Sequence, residues 1–152
     1  MEIDREIQQK KFDNDRHRAR VNLLFTASWL TGEMKTFLEP YDITPKQFNI
    51  LRILRGQHPG TVAIEEVRGR MIDRMSDVSR IIDRLVQKEL VAKQPCRNDR
   101  RSTRVSITEA GLALLQRVDE QKEQLEASLR RLSDEETRQL NALLDKLRGD
   151  IV

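Results

Sequence analysis

Residues 74–111 read RMSDVSRIIDRLVQKELVAKQPCRNDRRSTRVSITEAG. The first part has helical periodicity: Val78, Ile81, Ile82 and Leu85 share one face, and Ser76, Asp77, Arg80, Asp83 and Arg84 share the other. This spacing predicts an amphipathic helix from 74 or 76 to 88. Two β-prone runs follow, 90–94 and 103–108, joined by a polar turn, with Val105 and Ile107 alternating inward. Asp99-Arg100-Arg101 lies at the tip of that hairpin. A short helix offering polar side chains to a groove, with a basic hairpin reaching past it, is the layout of a winged helix-turn-helix. It points to sequence-directed binding of double-stranded DNA.

Upstream, Thr44-Pro45 is a helix start, and Phe48, Ile50, Leu51, Ile53 and Leu54 give the helix a broad apolar face that Gly56 and Pro59-Gly60 end. Thr61-Val62-Ala63 reads as a short strand, and 64–71 as a short helix with Ile64, Val67 and Met71 inward. From 22 to 38, Leu23, Ala27, Leu30, Met34 and Phe37 recur at helical steps until Pro40 limits them. Residues 1–15 are polar apart from Ile3, Ile7 and Phe12, and form either a frayed arm or a first turn that docks only on a partner. Downstream, a long helical stretch carries Leu112, Leu115, Val118, Leu125, Leu129 and Leu132, interrupted by Gln121-Lys122. Ser133 and Glu136 form a capping box that opens a last helix with Leu140, Leu143, Leu144, Leu147 and Ile151 on one side.

The expected fold is therefore mainly α with a small β-hairpin wing, a single domain over 1–152. Its winged helix-turn-helix lobe spans about 44–108, and helices at about 1–39 and 109–152 mediate dimerisation. Only 38% of the chain is hydrophobic and 35% is charged, which leaves little core for a monomer. The stripes of the end helices are then expected to be covered by a second copy, making a homodimer.

The net charge of +3 is modest, but its distribution is not. Residues 68–104 hold eleven bases against five acids, a net of +6, whereas 119–150 hold nine acids against six bases, a net of −3. A basic centre beside an acidic tail suits a polyanion-binding lobe joined to a region kept off the polyanion. One cysteine, Cys96, excludes an intrachain disulfide framework. No apolar run spans a bilayer and the N-terminus lacks the apolar core of a secretory signal, so no membrane association is expected and the chain reads as cytoplasmic. His17 and His58 are the only histidines, which argues against a metal site. There is no HExxH, phosphate-binding glycine loop or Ser-His-Asp set, so neither an enzyme nor a cofactor is expected.

Arg80 and Arg84 lie four apart on the polar face, where an arginine can pair bidentately with guanine. The Ser76 and Ser79 hydroxyls can bind phosphate or base edges. The duller reading pairs Arg80 and Arg84 with Asp77 and Asp83 on a solvated face. Arg97, Arg100, Arg101 and Arg104 place four guanidinium groups on one hairpin, suited to a narrow minor groove, and Asp99 can brace Arg101.

In order, ITPKQFNILRIL, SDVSRIIDRLVQKELV, DRRSTRVSITEAG and LSDEETRQLNALLDKL resemble the MarR family of bacterial transcription regulators over most of the chain. The resemblance implies a dimer held by terminal helices, Arg80 as the base-reading residue, and Asp99 with Arg101 as the wing-tip pair. Two departures stand out. Glu89 replaces a glycine frequent after the reading helix, so a differently shaped turn is expected. Arg74-Met75 replaces small polar residues at its start, which leaves the cap between Asp73 and Ser76. The resemblance further implies an effector, because many members of that family respond to small aromatic or phenolic acids in a cleft between the dimer helices and the DNA-binding lobe. Phe25, Trp29, Met34, Phe37 and Phe48 are the candidates to line such an effector cleft, although apolar residues at helical spacing read first as plain core. Cys96 reads as a thiol packed under the hairpin sooner than as a redox switch. The expected function is a DNA-binding regulator, most simply a repressor relieved by an effector. The alternative is a winged-helix protein-interaction module without specific DNA binding.

Overall fold

The computed structural model describes residues 1–96 and 99–149, and the side chains of all of these except 95, 96 and 99–101. Eight α-helices are described, in the order α1 (Ile3–Glu6), α2 (Asp15–Leu38), α3 (Pro45–Arg55), α4 (Ile64–Arg70), α5 (Val78–Gln87), α6 (Glu109–Asp119), α7 (Lys122–Glu126) and α8 (Asp134–Arg148). Three strands, β1 (Val62–Ala63), β2 (Val91–Cys96) and β3 (Asp99–Ile107), form an antiparallel sheet of order β1-β3-β2.

The central lobe follows from its local chemistry. Thr44 caps α3 through a reciprocal box: its Oγ1 accepts from Gln47 N at 3.1 Å while Gln47 Oε1 accepts from Thr44 N at 3.1 Å. That bond lets the polar Gln47 side chain be buried beside Phe48, Ile50, Leu51 and Leu54. These residues pack with Val67 of α4, Val78, Ile82 and Leu85 of α5, and Val105 of β3 into one core. The predicted inward alternation of β3 holds, with Val105 and Ile107 both buried. The hairpin is longer than expected. Val91 faces Ile107 and Pro95 faces Thr103, after which the register shifts so that Cys96 faces Asp99. The shift falls at the one residue of β2 that has no N–H to give the ladder.

The exit from α5 corrects one expectation. Glu89 adopts φ +61°, the left-handed conformation that glycine supplies elsewhere, and the turn is a complete Schellman motif. Leu90 N donates to Leu85 O at 3.0 Å, Glu89 N donates to Val86 O at 2.9 Å, and both leucines are buried. Glu89 therefore closes the turn that a glycine favours, at the cost of backbone strain. Replacing Glu89 by glycine is expected to stabilise the protein by about 1 kcal/mol. The check is a higher urea midpoint at unchanged slope.

At the ends, α1 docks by burying Ile3, and Arg18 Nε donates to Asp4 at 3.1 Å. The predicted long helix after Thr108 is broken. Leu115 and Val118 carry α6 into the lobe core, whereas α7 lies against α2. No apolar side chain between Val118 and Leu125 anchors the span between them. Ser133 and Glu136 do form their box on α8, and those hydrogen bonds hold the Glu136 carboxyl below its ordinary pKa. The leucine stripe of α8 is uncovered in the single chain, with Leu143 64% and Leu147 67% exposed. Ile151 lies outside the described residues. Among the described residues, no helix is long and apolar enough to cross a membrane.

Candidate nucleic-acid interface

Helix α5 buries Val78, Ile82 and Leu85 and exposes Ser79, Arg80, Asp83 and Arg84. Its cap is Asp77, not Asp73 or Ser76: the Asp77 carboxylate accepts from Arg80 N at 3.2 Å. The other acid of this face is also engaged, because Lys93 of β2 pairs with Asp83. Among the described residues, neither Arg80 nor Arg84 has a carboxylate within 4.0 Å. The intramolecular pairing that would have made this face inert is not what the geometry shows.

Two of the candidate residues, Ser76 and Arg104, need correction. Ser76 is only 7% exposed, and its Oγ is buried without a hydrogen-bond partner, so it does not face a groove. It precedes the helix and points inward because Asp77 takes the capping position. Asp77 is exposed and spends one carboxylate oxygen on the cap of α5. Arg104 donates from Nε to Thr61 Oγ1 at 2.7 Å and from Nη2 to Thr61 O at 2.8 Å, and its neighbour in the sheet is Ala63. Its guanidinium thus holds the wing to β1. Asp99, Arg100 and Arg101 occupy the first three positions of β3, so they lie at the far end of the wing. Arg97 lies outside the described residues, as do the side chains of Cys96, Asp99, Arg100 and Arg101.

The turn ahead of α5 is held from both sides. Asp73 Oδ1 accepts from Met75 N at 3.0 Å, and Lys46 Nζ of α3 lies 2.9 Å from its other oxygen. The hydrogen bond from Lys46, then that from the Met75 backbone, lower the Asp73 pKa below the ordinary carboxylate value. The tie is therefore complete at neutral pH and lost only as pH falls through that lowered value. Asn49 Oδ1 accepts from Ile72 N at 2.9 Å and fixes the same turn to α3. Sequence reading missed this brace, for which an aspartate two residues ahead of a turn residue was the available signal.

The five aromatic and methionine candidates are not brought together. Phe25 and Trp29 line one hollow with Ile3, Trp29 and Phe37 line another with Tyr41 and Leu125, and Met34 and Phe48 line a third with Ile53. The reason is helical geometry: nine residues at about 100° each put Phe25 and Met34 on opposite faces of α2. Phe48 is core, as the duller reading had it. A larger cleft of about 950 Å³ opens between α2, α3 and α5, lined by Lys35, Thr36, Thr44, Gln47, Arg84 and Lys88 among others. Lys88 also reaches the linker between α2 and α3, where it donates to the Asp42 carbonyl and lies 3.2 Å from the Asp42 carboxylate. These polar residues are scattered from position 35 to position 88, so a search for apolar spacing passes over them.

The comparisons agree with this arrangement. The sequence profile of the MarR family matches residues 43–103, the stretch from the start of α3 into β3. The transcriptional regulator PecS of Dickeya dadantii is 30% identical over 114 residues, covering 74% of this chain and 69% of PecS. The transcriptional repressor IacR of Pseudomonas putida is 29% identical over 116 residues, covering 76% of this chain and 68% of IacR. Among solved structures, BpsR of Bordetella bronchiseptica superposes with a TM-score of 0.72 at 26% identity, covering 86% of this chain and 99% of that one. BpsR is a protein whose DNA binding is regulated by 6-hydroxynicotinic acid. With a capped reading helix, a wing pinned to β1 and relatives matched along most of its length, this chain belongs to the MarR family of transcriptional regulators.

Proposed function

We propose that the protein is a cytoplasmic homodimer that binds a pseudo-palindromic operator in double-stranded DNA and represses transcription until a small aromatic or phenolic acid binds. The observation that carries the DNA reading is the face of α5. Arg80 and Arg84 are exposed without carboxylate partners among the described residues, while Asp77 and Asp83 are held elsewhere. An arginine so placed on a reading helix matches the O6/N7 edge of guanine. Ser79, beside it, can reach a phosphate or base edge. Arg97, Arg100 and Arg101 are assigned to the wing's contact with the neighbouring minor groove, with Asp99 as brace.

The uncovered leucines of α8 support the dimer, because a stripe of exposed apolar side chains gains by burial against a partner surface. The cleft between α2, α3 and α5 supports effector relief. Lys35, Arg84 and Lys88 line it together with Glu39 and Asp42; Lys88 is paired with Asp42, which leaves Lys35 and Arg84 as the cations that could meet a carboxylate, and Arg84 belongs to α5.

The test is unbiased selection of bound DNA with the full chain. Two symmetry-related reading helices should select half-sites roughly 34–36 Å apart. With about eight phosphates neutralised per dimer, log affinity should fall with log salt at a slope of about −7. Arg101→Ala should weaken binding about tenfold at unchanged thermal stability. Repeating the selection with aromatic acids present should release the DNA. Recovery of no preferred sequence would leave the protein-interaction module as the better account.

A further inference from the structure

Beside the arginines of α5, the turn that leads into the helix carries an exposed apolar side chain. Met75 is 93% exposed, two residues ahead of the Asp77 cap of α5. A flexible apolar side chain normally folds back onto the nearest hydrophobic surface. Here it stands clear of the core instead. Asp73, itself held by Lys46, grips the Met75 N–H, and Ser76 on the other side is buried. Met75 lines none of the hollows described above.

Its surroundings select the occupant. Arg70, Arg74, Arg80 and Arg84 are exposed on the same stretch of chain, and the acids between them, Asp73, Asp77 and Asp83, are all engaged. An apolar protein patch seated on Met75 would desolvate these guanidinium groups without pairing them. DNA pairs them with phosphates and offers, at the major-groove edge, one apolar group, the 5-methyl of thymine. Met75 is not part of the reading helix but stands in the turn leading into its N-terminus, the end that approaches base edges. We propose that Met75 is a specificity-determining residue that packs on a thymine methyl in each half-site. This rests on the DNA reading above and adds a hydrophobic contact to it.

The experiment uses the full-length protein and the operator recovered by selection. Each thymine is replaced in turn by deoxyuridine, which removes only the methyl group. At one position per half-site the replacement should weaken wild-type binding about fourfold, the effect of one buried methyl. Met75→Ala should weaken binding to the unmodified operator by a similar factor and be indifferent to deoxyuridine there. Its circular dichroism and melting should match wild type, because the side chain is exposed. Met75→Gln should keep the chain length, lose the methyl dependence and relax the preference for thymine. Binding by Met75→Ala that equals wild type, or independent penalties from Met75→Ala and deoxyuridine, overturns the contact while leaving the DNA reading in place. Selection that yields no preferred sequence overturns both, so the two failures are distinguishable.

Discussion

Gly111→Ala is expected to destabilise the protein by about 3 kcal/mol and to lower its melting temperature by about 10 °C. A Cβ at this helical position would lie 2.5 Å from the Leu90 carbonyl oxygen and 2.6 Å from Ile107 Cγ1. Neither neighbour can yield cheaply. The Leu90 carbonyl accepts from Thr108 N at 3.1 Å, and Leu90 N closes the Schellman turn after α5. Thr108 in turn caps α6 through Gly111 N at 3.1 Å and donates its hydroxyl to Glu89 O at 2.7 Å. One joint therefore fastens the end of the reading helix, the base of the wing and the start of α6. Relieving the clash must open it, so DNA affinity should fall along with stability. Gly69→Ala serves as the control. That helical glycine has nothing within 4 Å, and the substitution should stabilise by up to about 1 kcal/mol. Equal melting temperatures for Gly111→Ala and wild type would show that the close approach is not real.

Arg80→Ala is expected to separate specificity from affinity. Loss of one bidentate pair per half-site should weaken binding to the selected operator by about 1–3 kcal/mol per contact. Competing random-sequence DNA should be bound nearly as well as by wild type, with the salt slope reduced by no more than about one per protomer. Arg80 is exposed and has no carboxylate partner among the described residues, so folding should not change. Its backbone N–H, which the Asp77 cap uses, survives the substitution. A variant that discriminates among sequences as well as the parent would move the reading role elsewhere on α5. A variant that melts lower would show a structural role for the side chain.

How much of this was legible before the structure depended on the range of the interaction. Helical periodicity placed α3, α5 and α8 by their apolar faces, and for α3 and α8 the cap was legible as well, because Thr44 with Gln47 and Ser133 with Glu136 stand in contiguous sequence; the Asp77 cap of α5 was not read. The inward alternation of Val105 and Ile107 located β3 for the same reason. The errors came where a residue's role is set by a distant partner. Arg104 looked like one more basic residue of the wing until Thr61, 43 positions away, was seen to hold it. Ser76 shared a face with Arg80 on a helical wheel, yet the helix begins after it, so the wheel does not apply. The effector candidates were grouped by residue type, although α2 turns Phe25 and Met34 apart. Glu89 was expected to alter a turn whose shape its neighbours impose.

The link between Lys88 and Asp42 carries an implication for how such a protein measures its target. It joins the C-terminal end of α5 to the segment leaving α2, where Asp42 has a left-handed backbone. A tie at that point links the placement of α5 to the tilt of α2. In the proposed dimer, the distance between the two halves of the binding sequence is then gauged by the tilt of helices that never approach the bases. Tolerance for an extra or missing base pair in the spacer becomes a mechanical property of the scaffold, and natural selection can adjust it without rewriting the residues that read sequence.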